Sequence, residues 1–190
     1  MANATGFSQM TIQDLQDLDA KVPQSLLQGD PPGLRTTTRC FGVMKHFFGD
    51  GWLRINVVTA TPSDYLGLDF TSDQAREEKT WRIIELAEML FNLQGIPGFG
   101  SCIVQMARGQ IEAAYAELET GKWLLVHEVP FEFNIPKAKK GEDYDLNIIY
   151  PDVIACADTK CKFETTAVSA DSIHDSLEQA RSQLPSPDFS

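Results

Sequence analysis

Two aspartates and a lysine are the residues whose types and spacing could do chemistry together. Asp158-Thr159-Lys160 lies in the run Ala-Cys-Ala-Asp-Thr-Lys-Cys-Lys. Side chains of an extended strand repeat every second residue, so Asp158 and Lys160 share a face. Asp145 opens the preceding extended segment, where Tyr144, Leu146, Ile148 and Tyr150 take one side and leave Asp145 on the other. A hairpin between the two segments would set Asp145 beside Asp158. Two carboxylates and an ammonium on one patch suit metal-assisted phosphodiester hydrolysis. The carboxylates are hard oxygen ligands for Mg²⁺ (or Mn²⁺), which keeps several waters and bridges to phosphate. Such an ion polarises a phosphoryl oxygen and lowers the pKa of an attacking water. Lys160 would orient that water or offset the charge of the transition state. The tripeptide alone says little, because charges alternate along many exposed strand faces. Its weight comes from its surroundings.

Those side chains need strands, and the strands need helices to cover them. A helix is predicted from about residue 101 to 120, with Ile103, Ala107, Ile111, Ala114, Tyr115 and Leu118 as its buried stripe and Gly121 as its stop. From Trp123 the period changes to two. Leu125, Val129, Phe131, Phe133 and Ile135 alternate with Val126, Glu128, Glu132 and Asn134, which predicts a long strand containing His127. Pro136 and a loop with Lys137, Lys139 and Lys140 lead to a second strand over 144–150. Pro151-Asp152 makes a turn, and a third strand covers 153–163. Ser169 or Asp171 then caps a helix ending at 184. The order from residue 101 is α-β-β-β-α, an α/β (α+β) unit.

Residues 101–184 resemble the core of the PD-(D/E)XK nuclease superfamily, the restriction-endonuclease-like fold. The pattern is a helix bearing a glutamate, an Asp opening one strand, and (Asp/Glu)-x-Lys on the next. In this chain these are Glu112 in Arg-Gly-Gln-Ile-Glu, Asp145 in Asp-Tyr-Asp-Leu, and Asp158-Thr159-Lys160. The resemblance implies a mixed sheet, Mg²⁺ held by Asp145 and Asp158, and Lys160 assisting the water. Glu112 would complete the site through a ligand or its water shell, and Gln179 on the last helix would support it. Tyr144 stands where many members have proline, and Asp158 where glutamate is commoner. Glu117 and Glu119 share the helix with Glu112, and one or the other is expected at solvent. The loop lysines Lys137, Lys139 and Lys140 would touch phosphates or form a solvated loop.

Residues 1–100 read as an N-terminal extension that the resemblance does not explain. A short helix is predicted over 11–22 with Thr11 as N-cap, and a breaker cluster follows at Gly29-Asp30-Pro31-Pro32-Gly33. Residues 36–70 read as strands or irregular structure, because Trp52–Ala60 is rich in β-branched and aromatic residues. A helix capped by Ser72 or Asp73 is predicted to run to Gln94, with Trp81, Ile84, Ala87, Leu90 and Phe91 inward.

Charge sets the partners that can be entertained. Sixteen Lys and Arg against 27 Asp and Glu give −11 over 190 residues, which excludes gripping nucleic acid by bulk electrostatics. No apolar run approaches a membrane span, and the N-terminus lacks the layout of a signal peptide. The expectation is a cytoplasmic protein away from membranes, with nucleic acid (DNA) as partner and a homodimer or partner subunit in addition. Cys40, Cys102, Cys156 and Cys161 match no zinc or redox spacing and read as free thiols. The second expectation is a catalytically inactive relative, serving as an interaction or scaffold subunit of a DNA-processing or defence assembly.

Overall fold

The computed structural model describes residues 7–22, 31–61, 64–135, 144–159 and 169–183. It combines helices with a small antiparallel sheet, an α+β architecture, and divides into two compact units, Met1–Gln94 and Gly95–Ser190. No described helix is long and apolar enough to cross a membrane.

The first unit is helical. Helix α1, Ile12–Ala20, starts where the sequence predicts, with Thr11 and Asp14 forming a reciprocal capping box. No residue of α1 is itself buried. Its anchors are the buried Met10 and Val22 on either side and an ion pair from Asp19 to Arg39. The side-chain amide of Gln94 grips Met10 from both sides, accepting from its N–H at 2.6 Å and donating to its carbonyl at 2.8 Å.

Helix α2, Pro31–Leu53, kinks at Gly49 and runs into a π-helical turn, Arg54–Val58. This corrects the expected strands or irregular structure from residue 36 to residue 58, the β-branched run within Trp52–Ala60 included. Leu53 and Val57, four apart, are buried, whereas Ile55 and Val58 are exposed. Helical spacing buries the right pair, and that packing outweighs the β propensity of the individual residues. Helix α3, Asp73–Leu93, begins at Ser72, whose hydroxyl caps the Ala75 N–H. Its inward face is Lys79, Ile83, Leu86, Ala87, Met89, Leu90 and Leu93, while the predicted core residue Trp81 is 56% exposed. The buried Lys79 ammonium donates to the carbonyls of Asp64 and Tyr65, at 3.2 and 3.5 Å.

In the second unit, helix α4 is Phe99–Ala107 and α5 is Ile111–Val126. The sequence predicts one helix here. The chain breaks at Gly109, whose φ of +91° is left-handed and suited to glycine. Gly121 does not stop α5. It lies buried inside the helix, where a Cβ would come within 2.7 Å of the Phe133 ring. The helix therefore continues through Trp123, and His127 is its exposed C-cap, stacked on the Trp123 ring, and not a strand residue.

The strands are shorter than the sequence predicts: β1 Phe131–Phe133, β2 Leu146–Ile149 and β3 Ile154–Ala157. They form one sheet in the order β1-β2-β3, with both pairings antiparallel. Among the described residues there is no parallel pair, so the expected mixed sheet is not seen there. Phe131, Phe133 and Leu146 form its buried face, and Gly121 brings α5 against the two phenylalanine rings. Helix α6, Ala170–Gln183, follows at its predicted place.

A paired-aspartate candidate site

The β2–β3 register decides where the aspartates meet. Leu146 lies opposite Ala157 at the end of the paired register, and Asp145 and Asp158 are the next residues of the two strands. Asp145 sits at the bend before β2 and is fastened from both neighbouring strands. Its N–H donates to the Ala157 carbonyl at 2.9 Å, and its own carbonyl accepts from the Asn134 N–H at 2.7 Å. Its carboxylate accepts from the Thr159 N–H. The Asn134 amide also donates to the Tyr144 carbonyl at 2.8 Å, which fixes the approach to β2.

The Asp158 carboxyl lies close enough to that of Asp145 to bear on its ionisation. Burial pushes Asp145 up to about 7, the charges of Glu117 and Asp158 add to the rise, and the Thr159 N–H opposes it. Folding therefore makes the Asp145 carboxyl harder to ionise.

The helix acid beside this pair is Glu117, and the sequence puts either it or Glu119 at solvent. Glu117 is only 6% exposed. Burial raises its pKa and the Asp158 charge contributes, against hydrogen bonds from the Cys102 thiol and the Gln105 amide, each 3.4 Å from Oε2. The Cys102 thiol is held well above its ordinary value by its burial and by Glu117. Thr120, one turn beyond Glu117, has its hydroxyl 3.4 Å from that of Thr159. One face of α5 thus runs along the end of the hairpin. A signal was present in the sequence: Glu117 lies three residues after Ala114 and four before Gly121, within the buried stripe of the helix.

Glu112 stands in the first turn of α5, five residues before Glu117 and on another side of the helix. It is half-buried, with its Oε2 atom shielded from solvent. Gln179 lies within α6. Lys160 and the loop lysines Lys137, Lys139 and Lys140 fall outside the described residues, as does Cys161. Cys40 and Cys102 are buried free thiols, and Cys156 is a half-buried one.

Among the described residues, no three His, Cys, Asp or Glu side chains are arranged to hold a metal ion. The donor chemistry of the aspartate pair nevertheless fits a hard divalent cation. Mg²⁺ is commonly held by one or two carboxylates, with water and substrate phosphate completing its shell. A cation held there would compete with protonation of Asp145. Comparison of the chain with known protein families, with curated proteins and with solved structures finds no match.

Proposed function

We propose that the chain is a Mg²⁺-dependent nuclease that hydrolyses phosphodiester bonds in DNA, on a restriction-endonuclease-like core. The observation that carries this reading is the approach of the Asp145 and Asp158 carboxyls just beyond the paired residues Leu146 and Ala157 of the β2–β3 hairpin. Asp145 and Asp158 would hold the ion. When bound, Mg²⁺ supplies Lewis-acid polarisation and a water of lowered pKa. The Thr159 N–H and the clamp on the Asp145 backbone keep its carboxylate in place. Glu117 adds negative charge from α5, which favours a cation over a proton at the pair. Lys160, two residues beyond Asp158, would orient the attacking water.

The test is cleavage of DNA by the purified protein with Mg²⁺. Asp158→Ala and Lys160→Ala should each lose about a hundredfold or more in rate. Equal cleavage by all three proteins, or none by any, would overturn the reading.

A second reading, an inactive relative used as an interaction or scaffold subunit, draws support from the net charge of −11. Calorimetric titration with Mg²⁺ and Mn²⁺ separates the two. Heat that Asp145→Asn abolishes favours the nuclease, and no heat favours the scaffold.

A further inference from the structure

Trp123 is a large aromatic residue that the fold leaves at the surface. It is 63% exposed, although tryptophan is highly buried on average. The ring is nevertheless held. Its indole stacks on the imidazole of His127, one turn further along α5, with ring centroids 5.2 Å apart and planes 25° from parallel. One π-face is thus backed by a second ring, and the other is left to solvent.

The place of Trp123 on α5 gives that free face a neighbour. Residues three apart lie on one side of a helix, so Trp123 follows Thr120 by about 4.5 Å along the axis. Thr120 has its hydroxyl 3.4 Å from that of Thr159, whose N–H donates to the Asp145 carboxylate. Helix side chains tilt toward the helix N-terminus, which for Trp123 is the Thr120 side. His127 comes to the indole from the opposite direction.

Charge restricts what such a face can hold. In a chain of −11, contacts to phosphate are opposed by the molecule's own field, whereas a base stacked on an indole draws on no net charge. A base inside a duplex has both faces taken by its neighbours. Only a base outside the stack can offer one.

Building on the nuclease reading, we propose that Trp123 stacks an unpaired base beside the phosphate held at Asp145 and Asp158, so that the substrate is single-stranded DNA or the unpaired segment of a duplex. The aspartates and their ion take the phosphate, and the indole takes the base. Neither contact asks for a basic surface. Trp81 of α3, 56% exposed in the first unit, is the matching control.

The experiment is fluorescence anisotropy in Mg²⁺ with the full chain carrying Lys160→Ala, which keeps the DNA uncut. A single-stranded oligonucleotide should bind about tenfold or more tighter than the duplex of the same sequence. Adding Trp123→Ala should cost about tenfold in single-strand affinity, the worth of one stacked base, and Trp123→Phe should restore most of it. Trp81→Ala should change nothing. A strand made abasic along its length should bind alike with and without Trp123→Ala. Equal affinity for single strand and duplex, no binding of any strand, or a single-strand affinity that Trp123→Ala leaves intact overturns the proposal, whatever the protein cleaves. Conversely, an unsubstituted chain that cuts no DNA but binds through Trp123 removes the nuclease reading and leaves the stacking role standing. If circular dichroism shows Trp123→Ala unfolded, the abasic strand decides, and its binding as tightly as the ordinary strand overturns the proposal.

Discussion

Asp145 is a carboxyl that folding makes harder to ionise, and this gives it a measurable signature. Its ordinary value is 3.8 and its folded value about 7, so between these pH values the native state holds a proton that the unfolded chain has lost. Stability from this group therefore falls as pH rises from about 4 to about 7, and the deficit persists above. Asp145→Asn keeps an acceptor for the Thr159 N–H and removes the charge. In chelator, its melting temperature should exceed that of the parent by about 3–6 °C at pH 8 and match it near pH 4. Saturating Mg²⁺ should raise the parent and leave the variant unmoved. Glu117→Gln should likewise stabilise the metal-free protein at pH 8, by removing a buried charge from beside the aspartates, whereas Glu112→Gln should leave the titration of Asp145 where it is, read by NMR of its carboxyl. The aspartate pair was legible in the sequence because strand alternation and one hairpin suffice to place it. Glu117 was not, since amphipathic reasoning assigns a helix glutamate to water unless its apolar neighbours at i−3 and i+4 are weighed.

Elements were read well where caps and periodicity agreed, and badly where composition stood in for spacing. Thr11 and Ser72 start α1 and α3 as expected, because a hydroxyl that accepts from a free helix N–H is a local device. The run Trp52–Ala60 misled because β-branched residues favour strands on average, while burial of Leu53 and Val57 one helical turn apart decides the outcome. The two geometries make opposite forecasts. In a strand, Ile55 and Val57 would share a face and respond alike to truncation. In the helical turn, Val57→Ala should cost about 1–3 kcal/mol and Ile55→Ala within about 0.5 kcal/mol, by denaturant titration. Glycine was misread in the same way. Gly121 looked like a terminator, but its role is to let α5 lie against Phe131 and Phe133. Gly121→Ala should therefore destabilise by about 1–3 kcal/mol through crowding, although alanine favours helices. A near-neutral result would contradict that close approach.

At the scale of the whole molecule, the charge of −11 means that any grip on a polyanion must be local. DNA retention, measured by fluorescence anisotropy at moderate salt, should be undetectable in chelator and appear with Mg²⁺, and Asp158→Ala should abolish the gain. Retention independent of divalent ions would place the grip elsewhere. The division into Met1–Gln94 and Gly95–Ser190 also assigns a task to the last residue of the first unit. No residue of helix α1 is fully buried, so its hold depends in part on groups beyond its ends. Gln94 fastens Met10 like a clasp, closing the first unit upon its own beginning with one amide. Opened by Gln94→Ala, that clasp should free the leading helix as a block, visible as a joint loss of amide deuterium protection over residues 12–20 while α3 keeps its own.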